Sequence, residues 1–572
     1  MDNQLDNREV ELDYVSSKAQ FLWAHQALAA LTVFVCAGFT ASASWALLGF
    51  GYLSDTEAGG PSTVKLGVKA VIFSAIFAAS IVWLRTLCRR RPERFAPQER
   101  PAPSGRRATT IALLVSLAVA ALAVLPRLSV YPHIEPDESH HLIVARNVAM
   151  HGVYGSGMPA TGFRPFDDYD SVGPTVLLPV AAAIGAFGDP VHSGRMTMAI
   201  FFVLLCTVVY LLTIPSFGAW GAAVAVLFML AAPGSLYLAR TLYGEPPALA
   251  FLIAGILVWE RALSAKRQLL LAIVSGFLLG GALVTKYFLV VAAWPALGMW
   301  IYDRMTHRRI RPLHAIVPAS SALAVLVGWI AITSIFGPQG TDTAGGHLSM
   351  YRHNLLFGIG SVDATLSWLL QHWIAAVICL AGVYSAAVAA MYVAYRPSYL
   401  FLALFAALIL FWWAFFTTGA IPRYVWYALA LGAAFAGASC TNVRRTWAKR
   451  PVGYRWLCYA IPAAMMSLAA WDTWPRFVNV ATRDEMKDEY ALVDRLKQDY
   501  RQRTVATTFY PLERVANLLA EIPVHRIGET HAWNAYDAVV VDAQSQPELA
   551  SRPRLAARAG RYVIIEPGNA AP

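Results

Sequence analysis

The stretch HIEPDESHHLIVARNV, residues 133–148, sets Glu135, Asp137 and Glu138 among His133, His140 and His141 directly after an apolar run. Adjacent carboxylates can supply a general base, taking the proton from a hydroxyl as it attacks an electrophilic carbon. Cations that could complete such a reaction are scattered along the chain: Arg240 in YLARTLYGEPPAL, Lys286 in ALVTKYFLV and Arg423 after TTGAIP. Guanidinium and ammonium groups neutralise charge on a departing phosphate. A carboxylate beside several cations at a membrane edge therefore suits transfer of a sugar from a lipid phosphate to an acceptor hydroxyl, with Glu135, Asp137 and Glu138 among the candidate carboxylates and Arg240, Lys286 and Arg423 as candidates to hold the phosphate. Glu245, Arg164, Asp170, Tyr351 and Arg352 are further candidates for substrate contact, because all five fall in loops on the same expected side.

Each candidate also has a plainer role. Asp137 suits a helix N-cap, and Glu138 the positive end of the helix dipole. Lys286 and Arg423 suit snorkelling or helix-end cations. Arg240 and Glu245 suit a local ion pair, and Trp412, Trp413 and Trp426 suit anchors at the membrane interface. His140 and His141 offer imidazoles for a divalent metal, but no familiar spacing such as His-Glu-x-x-His accompanies them. No cofactor is required by the sequence, and a divalent metal is the one alternative.

The elements that must position these groups are membrane helices. The chain has 572 residues, 57% hydrophobic and only 14% charged, far too apolar for an ordinary soluble domain. Thirteen apolar runs are long enough to span: 22–50, 66–84, 109–130, 192–214, 216–232, 246–259, 269–285, 287–302, 313–336, 365–395, 398–416, 422–440 and 456–471. The first has an acidic flank and too long an apolar run for a signal peptide, so Ala41-Ser42-Ala43 reads as part of an uncleaved anchor. The six cysteines lie in or at the ends of apolar runs and report nothing about redox compartment.

Charge sets the orientation. The loops 85–107, 260–267, 303–311 and 441–455 carry +6, +2, +3 and +5, more together than the +11 of the whole chain. They belong in the cytoplasm, and the high net charge then says nothing about nucleic acid. The N-terminal tail, at −3, runs against this, although acidic residues weigh little in the rule. Alternating the spans places 131–172, 232–245, the neighbourhood of Lys286, 337–363 and 417–423 outside. Gly173 to Gly188 breaks the parity and reads as re-entrant or surface-lying. Residues 139–151 read as a juxtamembrane helix in the interface.

Three domains follow: 1–107, a two-span extension with a basic linker; 108–472, the membrane module; and 473–572, an extracytoplasmic α/β domain. The last is read from helical periodicity at 484–500 and 512–521 and strand patterns at 504–509, 538–541 and 562–565. The expected fold is mostly α, a polytopic transmembrane helical bundle with that small C-terminal domain.

The order of motifs resembles the GT-C superfamily of polytopic membrane glycosyltransferases, especially the branch of lipid A aminoarabinose transferases and protein O-mannosyltransferases. The segments carrying the likeness are PDESHHLIVARNVAMHGVYG, LYLARTLYGEPPALAFLIAG, LLGGALVTKYFLVVAAWPAL and TGAIPRYVWYALALGAA, within residues 109–440. The resemblance implies a polyprenyl-phosphate sugar donor, an inverting outcome and Asp137 as base with Glu138 beside it. It also implies a glycan, lipid or protein acceptor at a bacterial plasma membrane. The aminoarabinose branch's lysine-proline-proline pattern is replaced here by Tyr169-Asp170-Ser171-Val172-Gly173-Pro174, so that branch's donor and acceptor do not carry over. A secondary transporter of a small anion and an O-antigen ligase or polymerase are the alternative readings.

Overall fold

The computed structural model describes residues 105–159, 162–165, 172–306, 308–336, 373–392, 396–416, 422–447, 474–475, 477–508, 510–527, 533–550 and 555–567. The expected spans at 22–50, 66–84 and 456–471 lie outside them.

Four described helices are long and apolar enough to cross a membrane: Arg106–Val124 (α1), Pro190–Ala231 (α4), Gln268–Thr285 (α7) and a 22-residue stretch of Pro312–Phe336 (α9). Leu114 and Leu122 of α1, Phe277 of α7 and Leu323 and Val327 of α9 turn outward with more than half their surface exposed, as lipid-facing side chains do. Between these run Pro136–His151 (α2), Pro174–Phe187 (α3), Ser235–Leu238 (α5), Glu245–Ala262 (α6) and Ala293–Thr306 (α8). Trp373–Tyr392 (α10), Pro397–Phe416 (α11) and Pro422–Trp447 (α12) complete the bundle. Proline repeatedly opens a helix, at 136, 174, 190, 312, 397 and 422, where its missing N–H leaves no bond unmade.

The two expected spans 192–214 and 216–232 appear as two helical arms separated by a kink. These arms of α4 meet at Gly218 with φ 75° and ψ 176°, a conformation closed to other residues. The expected span 287–302 is not one helix. After Thr285 the chain is extended at Lys286 (φ −144°, ψ 101°), then runs through a 3-10 turn at Tyr287–Ala292 into α8. Such a break in apolar surroundings needs its backbone groups paired from elsewhere.

The segment 173–188 supplies that pairing. Its helix α3 begins against the end of α7, where Gly173 N–H donates to the Thr285 carbonyl at 3.1 Å. A Cβ on Gly173 would fall 1.6 Å from the Val284 carbonyl oxygen, so only glycine permits this approach. Gly173→Ala is expected to lower stability by about 1–3 kcal/mol through forced backbone displacement and to weaken ligand binding at the adjacent Lys286. Gly185→Ala in the same helix, where nothing lies within 4 Å, is the control. Equal thermal midpoints for the two variants would contradict the contact.

Helix α2 is not a half-exposed interfacial helix. Residues 138–147 are all buried, against α3 on one side and against Tyr510–Ala520 (α14) of the C-terminal segment on another. That segment folds around a five-stranded sheet of order β4-β3-β5-β7-β6: Val505–Thr507 (β3), Val524–Arg526 (β4), Ala538–Asp542 (β5), Leu555–Ala559 (β6) and Tyr562–Ile565 (β7). A hairpin after α2, Gly155–Met158 (β1) with Gly162–Pro165 (β2), is the other sheet among the described residues. β3 is parallel to β4 and β5, and β7 antiparallel to β5 and β6. Lys487–Asp499 (α13) and α14 contribute to its core, and Pro547–Ala550 (α15) is the short helical piece.

Candidate active site

Asp137 and Arg423 meet at 2.9 Å although 286 residues separate them. Asp137 sits in the first turn of α2 and Glu135 takes the N-cap position, so Asp137 is not the cap. Its side chain is 49% exposed while that of Arg423 is 21% exposed, which leaves the carboxylate open on one side. Arg423 lies over two ring faces, Tyr243 at 4.8 Å and Tyr424 at 5.4 Å. These fix the guanidinium without using its N–H groups.

The break after α7 delivers Lys286 to the same place. Its ammonium lies 3.1 Å from Glu245, the first residue of α6, and both side chains are fully buried. The expected Arg240–Glu245 ion pair is therefore replaced by Lys286–Glu245. Its charges also act on Arg423 and on Asp137, so one carboxylate, two cations and a second carboxylate share one end of the bundle.

Burial pushes the Asp137 carboxyl up, but the charge and hydrogen bond of Arg423 outweigh it and hold its pKa below the ordinary value; His141 and Lys286 add to the lowering. The side chain is thus ionised at neutral pH and ready to accept a proton. Loss of activity on acidification should occur below the usual carboxylate range, since the ionised form is the active one. Arg423→Gln should move that acid limb of kcat/KM upward. An unmoved limb would show that Asp137 is not the titrating group. His141, one turn along α2, donates from Nδ1 to the Leu242 carbonyl at 2.7 Å; since a carbonyl only accepts, Nδ1 carries the proton. Burial, then the neighbouring charges of His140 and Lys286, hold this ring well below its ordinary pKa and hence neutral.

Glu138 and Arg240 have other tasks. Glu138 accepts both Nε and Nη2 of Arg195 at 2.9 Å, with both side chains wholly buried, and Arg195 Nη1 donates to the Leu128 carbonyl. Arg195 was not singled out from the sequence, because an arginine near the start of an apolar run reads as an end cation. Arg240 donates to the carbonyls of Val124, Pro126 and Tyr131, which fastens the exit of α1 and the loop before α2. With its donors held by backbone, it is a scaffold for that loop.

Arg164 lies on β2, paired in register with Ser156. Asp170, Tyr351 and Arg352 lie outside the described residues. Among the described residues no group of three or more His, Cys, Asp or Glu side chains is placed to hold a metal. Trp412, Trp413 and Trp426 are buried within the bundle at 6%, 1% and 1% exposure, so they do not anchor an interface.

The C-terminal segment closes over the loop that leads to Asp137. Glu485 accepts from the His133 backbone N–H, His133 Nε2 lies 2.6 Å from Glu489, and Arg514 donates to the Pro136 carbonyl. Arg146 of α2 donates to the Leu518 carbonyl at the end of α14. At its other end α6, which begins at Glu245 in the site, carries Glu260, which pairs with Arg396.

The polytopic helical bundle, its ionisable groups gathered at one end under an α/β segment, has the fold seen in ArnT from Cupriavidus metallidurans. Residues 173–332 match the family model described as dolichyl-phosphate-mannose-protein mannosyltransferase, a span that includes Glu245 and Lys286 but neither Asp137 nor Arg423. Among solved structures the chain is similar to ArnT from Cupriavidus metallidurans in the apo state, with 16% identity, a TM-score of 0.57, and 80% of this chain and 97% of that one covered. The same protein bound to undecaprenyl phosphate aligns with 16% identity and a TM-score of 0.58, over 81% of this chain and 98% of that one. A comparison with curated protein sequences finds no match.

Proposed function

We propose that the protein is an integral membrane glycosyltransferase that moves a hexosyl or pentosyl group from a polyprenyl phosphate to a hydroxyl of a cell-envelope glycan, lipid or protein. Asp137 takes the proton of the acceptor hydroxyl, whose oxygen attacks the anomeric carbon as the bond to phosphate breaks. The configuration inverts, and polyprenyl phosphate departs with its charge met by Lys286 and Arg423. The observation that carries this reading is the Asp137–Arg423–Lys286 grouping, a half-open base beside two cations. Support comes from the likeness to ArnT, which has been crystallised with undecaprenyl phosphate. The site faces the outside of a bacterial plasma membrane by the distribution of basic loops, and residues 473–572 form an extracytoplasmic cap. A transporter would concentrate its ionisable groups near the membrane midplane, whereas Asp137, Glu245, Lys286 and Arg423 gather at helix ends and a helix break.

The test is transfer of labelled sugar from synthetic polyprenyl-phosphate monosaccharides to envelope extracts by the purified protein. Transfer is expected with at least one hexose or pentose donor. Solute uptake into proteoliposomes without any transfer would overturn the proposal.

A further inference from the structure

Next to Lys286 and Arg423 lies a group of side chains that the reaction above leaves unused. Phe288, two residues beyond Lys286, stacks on Trp412 with centroids 5.9 Å apart and an interplanar angle of 7°. It also meets Tyr424 at 5.6 Å and Tyr427 at 5.1 Å, each edge to face. Four polar atoms in and around this cluster are buried with no hydrogen-bond partner among the described residues: Trp412 Nε1, Tyr427 Oη, Arg423 Nε and Glu245 Oε2. Their elements are α11, α12 and α6, so no single local distortion explains them.

The contrast with nearby aromatics is informative. Trp426 Nε1 donates to Ser235 Oγ at 2.9 Å, Trp259 Nε1 to the His314 carbonyl at 2.7 Å, and Tyr399 Oη to the Leu212 carbonyl at 2.8 Å. A buried polar atom without a partner is destabilising, and several together at one place indicate that something else completes them.

We propose that this cluster is the subsite for the glycosyl group of the lipid-linked donor; the inference rests on the function proposed above. Three donors and one carboxylate acceptor against aromatic walls match a sugar ring, whose hydroxyls both donate and accept and whose C–H face lies on aromatic surface. A phosphate alone would engage the donors but be repelled by Glu245. A prenyl chain would engage the rings and leave all four polar atoms unmet. Only the hydroxylated ring answers both halves of the cluster, and Arg423 and Lys286 beside it receive the phosphate to which that ring is attached.

The experiment measures binding of bare polyprenyl phosphate and of a panel of polyprenyl-phosphate hexoses and pentoses to purified wild type, Trp412→Phe and Tyr427→Phe. Each variant should bind the sugar-bearing donor that wild type prefers roughly five- to tenfold more weakly, as loss of one ligand hydrogen bond implies. Binding of bare polyprenyl phosphate should be unchanged. The ligand-free thermal midpoint of Tyr427→Phe should equal or exceed that of wild type, because an unpaired buried hydroxyl is removed with the ring kept, whereas that of Trp412→Phe should fall because the smaller ring leaves a cavity. The proposal is overturned if wild type binds no sugar-bearing donor more tightly than bare lipid phosphate, or if the variants weaken both ligands equally. Failure of wild type to bind bare polyprenyl phosphate would instead overturn the underlying function.

Discussion

Asp137→Asn is expected to reduce sugar transfer by about three orders of magnitude, within the range that a positioned general base contributes. The isosteric amide keeps the shape of the first turn of α2 and abolishes proton acceptance. Stability should change little. Asp137 is 49% exposed, and a partly exposed ion pair such as Asp137–Arg423 contributes only about 0–1 kcal/mol. Affinity for bare polyprenyl phosphate should be retained or increased, because Arg423 no longer has a carboxylate competing with phosphate. Initial rates, thermal midpoint and lipid-phosphate binding on one preparation separate these effects. A variant that transfers sugar at the parental rate would remove Asp137 from the chemistry.

The neighbouring carboxylate should behave oppositely. Arg195→Leu leaves Glu138 buried without its partner, and breaking a wholly buried pair in this way costs about 3–5 kcal/mol. The expected result is a large fall in thermal midpoint and poor recovery of folded protein. Replacing both members, Arg195→Leu with Glu138→Leu, removes the unpaired charge and should restore most of the stability, since apolar substitutes for a buried pair are often neutral or better. It should also restore transfer to within about tenfold of wild type, the loss expected from small misplacement of α2 rather than from loss of a reacting group. If the double variant folds well but is as inactive as Asp137→Asn, then Glu138 is catalytic, as the resemblance to the GT-C superfamily implies, and its role as an anchor is wrong.

The adjacent pair shows where sequence reading stops. Asp-Glu after an apolar run announces a site, but successive helical side chains diverge by about 100°, so two neighbours cannot face the same partner. Which one looks into the site depends on what packs around α2: Arg423 from α12 on one side and Arg195 from α4 on the other. Neither arginine is near α2 in sequence. The same holds for Arg240 and Glu245, five residues apart and suited to a local pair, which instead meet backbone carbonyls and Lys286.

Local signals did announce much of the frame. Proline at helix starts, apolar runs, the basic loops and the isolated lysine after Leu-Val-Thr are properties of short segments, and α2, α6, α7 and α12 lie where those segments are. In the C-terminal part, the helices at 487–499 and 510–520 and the strands at 505–507, 538–542 and 562–565 follow their periodicity. β4 and β6 were not legible, one being three residues long and the other a run of leucine, alanine and arginine without β-branched side chains.

The sequence by itself determined that this chain is a membrane bundle carrying unusual charges at one side, because hydrophobicity, proline and charge act within a few residues of where they stand. Tertiary structure alone decided which charges are chemical and which are structural. An ionisable side chain in apolar surroundings takes its role from the one partner within about 3 Å, and for Asp137, Glu138 and Glu245 that partner comes from a part of the chain distant in sequence.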